Sequence, residues 1–326
     1  MKFLILNFIS LSILFFLYLF RKNICLKLKL IDKPGKISIH KDHALLFGGI
    51  FLISGLILNL LTIYYYELNV SRYLSFSLII SFFLIALIDD IKNLNPNLRL
   101  FLALSACLIS FYFEPELKIY SLNFAFNNSV YINNNIFFGY IFSALCVLLL
   151  VNAFNFIDGI DGLATSIGLS FFLYIILKNF HVLDHYYLFL ISLIFFLFLN
   201  IKYNIFLGDS GNYLISISIA TLLIKENYYN PTLYFAEEIF LLFLIPGIDM
   251  LRLFINRIIK KKNPFKGDNN HFHHKLLKKF GNIKSVLIYL SIVNLPIYIY
   301  FFSNSFLILL IFISIFIYFI LLRYTS

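Results

Sequence analysis

The chain has 326 residues, of which 61% are hydrophobic and 13% are charged, and its mean hydropathy is +0.90. Soluble domains carry about a quarter charged residues, so this composition excludes a soluble globular domain and indicates an integral membrane protein. The net charge of +10 does not indicate nucleic-acid binding, because no basic soluble module is present to carry it. Three cysteines without paired spacing predict neither a disulfide framework nor a metal site.

Apolar stretches long enough to cross, or nearly cross, a bilayer core run through the whole chain. In order they occupy about 3–20, 44–64, 74–89, 98–113, 136–153, 163–178, 186–200, 211–224, 237–256, 284–302 and 305–322. The first resembles a signal peptide, but Arg21 and Lys22 follow it directly without a small-residue cleavage site, so a retained helix is expected. The seventh and eighth stretches are short, so we expect each to be tilted, half-buried or extended by flanking residues. The prediction is one all-α integral membrane domain over residues 1–326, a bundle of about eleven transmembrane helices.

Basic residues are distributed unevenly between the two sides of these stretches. Twenty Lys and Arg residues fall on the side of the loops that follow the odd-numbered helices, and five fall on the other side. Cytoplasmic loops are enriched in Lys and Arg, so the odd-loop side is predicted to be cytoplasmic. The N-terminus is then outside and the C-terminus inside.

Carboxylates divide between the two sides by type. The predicted cytoplasmic side carries nine Asp and no Glu, whereas the other side carries six Glu and one Asp. Chance in so small a set is the alternative, but ionisable groups near a membrane core usually serve a function. Short carboxylates suit a pre-organised site for a hard cation, so a site is predicted on the cytoplasmic side.

The stretch 152–164, which joins two apolar segments, carries the strongest signal. Asn152, Asn155, Asp158 and Asp161 follow one another at intervals of three residues. While helical, these positions form one polar stripe, and the glycines between and after them permit a turn. Helix capping explains any one of these residues but does not explain four in register.

Two further acidic sites interrupt the apolar pattern. Asp89 and Asp90 end the third helix, where adjacent acids oppose the helix dipole and each other unless a cation or metal offsets them. A solvated helix end with Lys92 as the partner is the alternative. Asp209 lies among small residues at the start of the eighth helix, and a helix N-terminus favours bound phosphate. An ordinary cap by Asp209 or Ser210 is an equal alternative.

The last predicted cytoplasmic loop holds His271, His273 and His274 within four positions. Such a cluster suggests zinc, but the cysteines are distant and adjacent histidines fit poorly in a closed zinc site. Histidine and lysine side chains that face a pyrophosphate are the favoured interpretation, because both donate to anionic oxygens. A solvated basic loop is the alternative.

Taken in order, these motifs resemble the polyprenyl-phosphate N-acetylhexosamine-1-phosphate transferases of the MraY/WecA type. The resemblance extends from Asp32 to about Leu277. It includes Asp32-Lys33-Pro34-Gly35 with His40, Gly48-Gly49, Asp89-Asp90, 152–164, 208–211, Pro246 with Asp249 and Arg252, and 271–274. The His-x-His-His form and the eleven predicted spans are more similar to the WecA/TagO branch, which uses UDP-N-acetylhexosamines.

The resemblance implies transfer of an N-acetylhexosamine-1-phosphate from a UDP-sugar to undecaprenyl phosphate with release of UMP. GlcNAc-1-phosphate is the favoured group. This reaction starts the synthesis of lipid-linked cell-envelope glycans such as O-antigen. The implied enzyme is a multi-pass protein of the bacterial cytoplasmic membrane that works on the cytoplasmic face with Mg²⁺ or Mn²⁺. Its implied partners are the UDP-sugar, the polyprenyl phosphate and membrane lipid, with no nucleic acid, and the oligomeric state is left open, a homodimer included.

The resemblance also gives each candidate residue a role. Asp209 and Asn155 are the implied metal ligands, and Asp89 is the candidate base beside the lipid phosphate. The residues that would position the metal or the nucleotide are Asp90, Asp158 and Asp161. The implied substrate-binding residues are Lys33, His40, Asn152, Asp249, Arg252, His271, His273 and His274.

Two alternative functions stay open. Within the enzyme class, the alternative is the phospho-MurNAc-pentapeptide transferase of peptidoglycan synthesis. Outside it, the alternative is a transporter with intramembrane acids, which predicts acids spread through the membrane depth rather than gathered at one interface. The sequence does not identify the N-acetylhexosamine.

Overall fold

The computed structural model describes residues 2–32, 44–65, 75–126, 129–132, 136–203, 205–261 and 270–325. Within these ranges the chain forms thirteen α-helices and one short 3-10 helix. The α-helices are α1 (Lys2–Leu19), α2 (Arg21–Leu28), α3 (Gly48–Tyr65), α4 (Phe76–Lys92), α5 (Pro96–Phe113), α6 (Ile136–Asn155), α7 (Leu163–Lys178), α8 (His181–Tyr203), α9 (Gly208–Tyr229), α10 (Ala236–Ile259), α11 (Phe272–Phe280), α12 (Asn282–Ser303) and α13 (Leu307–Tyr324). All except α2 and α11 overlap one of the predicted apolar stretches, and the short seventh and eighth stretches are extended by flanking residues in α8 and α9.

Six of these helices are long and apolar enough to cross a membrane, counted over the described ranges: α3, α5, α6, α8, α12 and α13. A seventh span is possible by length and composition if α1 and α2, which meet at a bend of 64°, are taken as one broken span. The polytopic, mainly helical membrane architecture predicted from the sequence is therefore confirmed.

Helix α9 lies at the centre of the bundle and packs against α3, α4, α6 and α7. Every residue from Ser210 to Glu226 is buried. Polar side chains are accommodated there because several bond within their own helix: Ser216 Oγ donates to Asn212 O at 2.9 Å, and Thr221 Oγ1 donates to Ser218 O at 3.0 Å. Because α9 is central, residues from several neighbouring helices can contact its first turn.

Two small sheets depart from the all-α prediction. The first contains β1 (Ile31–Asp32), β2 (Ala44–Leu46) and β5 (Ile205–Phe206), and the second is a hairpin of β3 (Ser121–Asn123) and β4 (Ser129–Tyr131). Strand β2 pairs with β1 on one side and with β5 on the other. The predicted helix start at residue 44 is therefore wrong, because these strands satisfy the backbone of 44–46 and helix α3 begins only at Gly48.

A close contact brings the start of α3 against the start of α9. A Cβ added at Gly49 would overlap the Oγ and Cβ atoms of Ser210. Only glycine permits this approach without displacing the neighbouring helix. The adjacent glycines of the sequence motif therefore allow α3 and α9 to pack tightly where the site begins.

Glutamates at the opposite end of the bundle are held in ion pairs. Lys225 Nζ lies 3.3 Å from Glu114 Oε2 and 3.7 Å from Glu116 Oε2, and Lys178 Nζ lies 2.9 Å from Glu238 Oε1. Lys225 and Glu238 are buried, and a buried charge is tolerated only with a partner. Three of the described glutamates, which the sequence separates from the aspartates, thus have structural partners of their own.

Candidate active site

An arginine joins two aspartates where α4, α5 and α9 meet. Arg99 Nη1 donates to Asp89 Oδ2 at 2.5 Å and to Asp209 Oδ2 at 3.1 Å. Asp89 is buried, and its other oxygen accepts a hydrogen bond from Leu94 N at 2.6 Å. The guanidinium offsets the repulsion between the two carboxylates. The cation that stabilises the acidic end of α4 is therefore Arg99, whereas the expected partner Lys92 is exposed.

Sequence reasoning gave Arg99 no role in the site, although its position carries a signal. Helix α5 begins with Asn95 as its N-cap, whose Oδ1 accepts from Asn97 N at 3.0 Å, and with Pro96 in the first turn. Arg99 follows in the same turn, where a cation opposes the helix dipole. A charge in so unfavourable a place is expected to have anionic partners, and here Asp89 and Asp209 supply them.

Asp90 caps the first turn of α9 from a neighbouring helix. Its Oδ1 accepts from Asp209 N at 2.9 Å, and its Oδ2 accepts from Ser210 N at 3.0 Å and from Ser210 Oγ at 2.6 Å. These two amides are therefore engaged by a carboxylate. The sequence suggested either a bound phosphate or a cap by Asp209 or Ser210 at this helix end. The structure instead shows a cap from Asp90 of α4.

The stretch 152–164 is helical only at its two ends. Helix α6 ends at Asn155, residues 156–162 form turns, and α7 begins at Leu163. The helical stripe predicted for four polar residues therefore holds for Asn152 and Asn155 alone. The helix unwinds because the next backbone bonds span fewer residues, as from Ile157 N to Phe154 O at 3.1 Å.

Asn155 is connected to the first turns of α9. Its Oδ1 accepts from Asn212 Nδ2 at 2.8 Å, and Asn212 follows Asp209 by three residues. The Oδ1 atom of Asn212 is buried without a hydrogen-bond partner. Asn152, in contrast, donates to the carbonyl of Leu148 in its own helix at 2.7 Å. The structure thus links Asn155 to the helix that carries Asp209.

Asp158 lies in the turn region and is exposed at the surface, although many protein atoms surround it. Burial of this position among protein atoms, together with the charges of Asp161 and Asp90, raises the pKa of Asp158 to about 7. The shift indicates a local excess of negative charge, which a bound cation would relieve. Asp158 and Asp161 therefore belong to the same electrostatic cluster as Asp90.

A second network surrounds Asp249 in α10. Asp249 Oδ1 accepts from Arg252 Nη2 at 2.8 Å, and Asp249 Oδ2 accepts from Phe272 N at 3.1 Å and lies 3.2 Å from His271 Nδ1. Arg252 Nη2 also donates to Asn270 O at 2.8 Å. Both oxygens of Asp249 are engaged, so this carboxylate fixes the start of α11, on which the histidine cluster lies.

The histidine cluster packs against the turn that follows α6. The ring of His271 stacks on Phe156 with centroids 5.1 Å apart, and a Cβ at Gly159 would overlap His273 Nε2. His273 is buried, its Nε2 has no hydrogen-bond partner, and burial lowers its pKa well below the usual range. A neutral imidazole with an unsatisfied nitrogen against Gly159 is suited to hydrogen-bond an incoming polar group.

The structure therefore brings most of the predicted site residues to one end of the bundle. The members joined by contacts, either directly or through one intervening residue, are Asp89, Asp90, Asp209, Asp249, Arg252, His271, His273 and His274. Asn155 is joined to α9 through Asn212, and Asp158 interacts with Asp90 and Asp161 through their charges. Asn152 lies one helical turn before Asn155. Lys33 and His40 lie outside the described residues.

Oxygen ligands for a divalent cation are available at this end. Among the described residues, no three His, Cys, Asp or Glu side chains form a ready-made metal-binding group. Mg²⁺ commonly takes only one or two carboxylates and completes its shell with water and substrate phosphates. Asp209 supplies one carboxylate, and the side-chain amides of Asn155 and Asn212 lie on the same side of the bundle. The buried Oδ1 of Asn212 has no hydrogen-bond partner, so this residue set is compatible with such a Mg²⁺ site.

Known proteins are similar to this chain over most of its length. The family model described as Glycosyl transferase family 4 matches residues 73–227. The undecaprenyl-phosphate alpha-N-acetylglucosaminyl 1-phosphate transferase of Escherichia coli K12 is 25% identical over 271 residues, which cover 79% of this chain and 72% of the relative. The enzyme of the same name from Thermotoga maritima is 29% identical over 268 residues, 81% of this chain and 79% of the relative. These likenesses support the resemblance that the motifs carry, which is to the polyprenyl-phosphate N-acetylhexosamine-1-phosphate transferases.

Proposed function

We propose that the protein transfers GlcNAc-1-phosphate from UDP-GlcNAc to undecaprenyl phosphate and releases UMP. The observation that carries this proposal is the junction in which Arg99 joins Asp89 and Asp209, next to the α9 start that Asp90 caps. The related enzymes named above support the N-acetylglucosaminyl branch over the peptidoglycan branch. The gathering of acids at one end of the bundle argues against a transporter path through the membrane.

The chemistry is a phosphoryl transfer between two anions. An oxygen of the lipid phosphate attacks the phosphorus that carries the sugar, a new P–O bond forms, and the bond to the uridine-bearing phosphate breaks. UMP leaves with the electron pair of that bond. Because the second pKa of a phosphate monoester is about 6, the attacking group is mostly dianionic at neutral pH. Catalysis therefore depends mainly on positioning and on stabilising negative charge.

The aspartates and Asn155 have four roles in this proposal. Asp209 and Asn155 hold Mg²⁺, or Mn²⁺ in its place, and the bound ion supplies positive charge to the pyrophosphate. Asp89 faces the lipid phosphate as the candidate base, held in place by Arg99. Asp158 and Asp161 add negative charge that favours cation binding. Asp90 acts by fixing the α9 turn from which Asp209 projects.

The polar donors face the nucleotide sugar in this proposal. Arg252, His271, His273 and His274 donate to the pyrophosphate, and Asp249 holds two of them in place. Asn152 lies on α6 one turn before Asn155, and Lys33 and His40, outside the described residues, are assigned to substrate binding by the resemblance alone. Arginine and histidine suit this task because their N–H groups form charge-assisted bonds to phosphate oxygens.

We place the site on the cytoplasmic face of a bacterial cytoplasmic membrane. Eleven helices of the described ranges have sixteen residues or more, and six of them are long and apolar enough to span on their own. On this support we propose eleven spans, with the N-terminus outside and the C-terminus inside. The side on which the site lies carries most of the Lys and Arg residues, as cytoplasmic loops do. A soluble UDP-sugar and a membrane-bound lipid phosphate meet at such an interface.

The test is UMP release by the purified protein in liposomes that contain undecaprenyl phosphate. UDP-GlcNAc with Mg²⁺ should give UMP and a lipid-linked product, whereas UDP-MurNAc-pentapeptide should not. Asp209→Asn should abolish the reaction, while Asp184→Asn, an exposed aspartate of α8, should not change it. Release of UMP only from the pentapeptide donor would favour the peptidoglycan enzyme. No UMP from either donor would refute the proposed transferase.

A further inference from the structure

The last helix carries one fully buried tyrosine at the edge of the histidine network. Most of α13 faces outward, and its buried residues are Leu307, Leu310, Ser314 and Tyr318. They recur at intervals of three or four residues, which places them on one helix face. Three of them are apolar or small, whereas Tyr318 brings a hydroxyl that needs hydrogen-bond partners.

Both partners of this hydroxyl belong to the Asp249 network. Tyr318 OH donates to Asp249 Oδ1 at 2.8 Å and accepts from Arg252 Nε at 3.0 Å. Asp249 uses its second oxygen to hold Phe272 N and the ring of His271. One hydroxyl on α13 thus lies a single side chain away from the first turn of α11.

The rings of α13 also pack against both ends of α11. The Tyr318 ring meets the buried Phe272 ring at 5.0 Å in an edge arrangement. At the other end, Tyr324 stacks on Phe280 at 6.3 Å, and Lys279 donates to its backbone carbonyl. Helix α11 has nine residues, too few for stability in isolation, so these contacts decide where its histidines lie.

We propose that Tyr318 is a positioning residue for nucleotide-sugar binding, acting through Asp249 and Arg252 on the first turn of α11. The proposal rests on the proposed function, because it assigns the histidine cluster to the pyrophosphate side of that reaction. Tyr318 touches neither substrate, and its effect falls on the donor UDP-sugar rather than on the lipid acceptor.

The test is Tyr318→Phe, which keeps the ring contact with Phe272 and removes only the hydroxyl. The KM for UDP-GlcNAc should rise about tenfold, since a hydrogen bond to a charged group is lost on each side of the hydroxyl. The KM for undecaprenyl phosphate should stay within about twofold of its original value. Calorimetric titration with UDP-GlcNAc should show the same loss of affinity. In a double-mutant cycle with Asp249→Asn, the two effects should be less than additive.

Tyr174→Phe is the matched control, because Tyr174 is also buried and donates to a carboxylate, Glu238, at the opposite end of the bundle. It should leave both KM values unchanged. If Tyr318→Phe does not fold, Tyr324→Ala at an exposed position should still raise the KM for UDP-GlcNAc, by a smaller factor. Unchanged donor KM and affinity would overturn the inference, as would an equal change in both KM values. Absence of transfer by the unmodified protein would instead refute the proposed function.

Discussion

The most informative single change is Asp90→Asn at the start of α9. In the native protein the Asp90 carboxylate accepts three hydrogen bonds, from the amides of Asp209 and Ser210 and from the Ser210 hydroxyl. An asparagine keeps the shape but replaces one acceptor oxygen with an NH₂ donor. At least one amide of the α9 turn then faces a donor instead of an acceptor, and the charge that favours the helix N-terminus is lost.

The expected cost follows from these contacts. A hydrogen bond to a charged group contributes about 1.5–3 kcal/mol, and a buried donor left unpaired costs a similar amount. The turn that carries Asp209 is therefore displaced or loosened. If half of the hydrogen-bond energy of about 1.5–3 kcal/mol is lost from the transition state, kcat falls about three- to tenfold, since about 1.4 kcal/mol corresponds to a factor of ten.

The assay is UMP release in liposomes together with the apparent Tm of the purified protein. Asp90→Asn should lower both kcat and Tm, because the residue acts by holding α9. Asp184→Asn is the control, since that exposed carboxylate lies 3.9 Å from His181 and away from the site. If Asp90→Asn lowers kcat with an unchanged Tm, a direct role at the substrate is favoured over capping. If neither kcat nor Tm changes, the capping contacts of Asp90 contribute to neither activity nor stability.

Three further changes test other parts of the site. Arg99→Gln should lower kcat about 10- to 100-fold, because Asp89 and Asp209 lose their shared cation, and unchanged kinetics would contradict the bridging role. Gly159→Ala should raise the KM for UDP-GlcNAc, because the added methyl group displaces the ring of His273, and a normal KM would show that this contact is not needed. The pKa of Asp158 is raised to about 7 in the folded state, whereas an unfolded aspartate loses its proton near pH 4. The protonated Asp158 therefore favours the folded state at low pH, and this contribution to stability is lost as the pH rises from about 4 to 7. Asp158→Asn should therefore flatten the fall of Tm over this range in EDTA, and an identical profile for both proteins would refute the shift.

Much of the fold follows from the apolar pattern. Long stretches of apolar residues have few alternatives to a helix in a bilayer, so their positions in the chain were predictable. The prediction failed at residues 44–46, where an apolar run pairs as a strand before Gly48 starts the helix. Nothing in the local sequence separates a buried strand of three residues from the first turn of a helix.

The candidate site was predictable where the chemistry resides in a short motif. Asp89, Asp209 and the histidine cluster interrupt apolar segments, and that interruption is visible in the sequence. The partners of these residues were not visible, because they lie on other helices. Arg99 and Tyr318 depend on pairings across helices, and only the packing of α5 and α13 places them beside the acids.

The turn after α6 also contains residues that were predictable in an arrangement that was not. Its polar residues were recognised by their spacing, but their arrangement depends on where the helix ends. The backbone unwinds after Asn155, so Asp158 and Asp161 reach the cluster from a turn rather than from a helical stripe. Helix ends are the part of a membrane helix that the hydrophobic pattern defines least sharply.

The most direct measurement is a crystal structure of the protein with UDP-GlcNAc and Mn²⁺, whose anomalous scattering locates the metal. The metal peak should lie within coordination distance of the Asp209 carboxylate, with the pyrophosphate between it and the histidines of α11. A metal bound away from Asp209, or a nucleotide at the end of the bundle that holds the glutamate ion pairs, would contradict the proposed site.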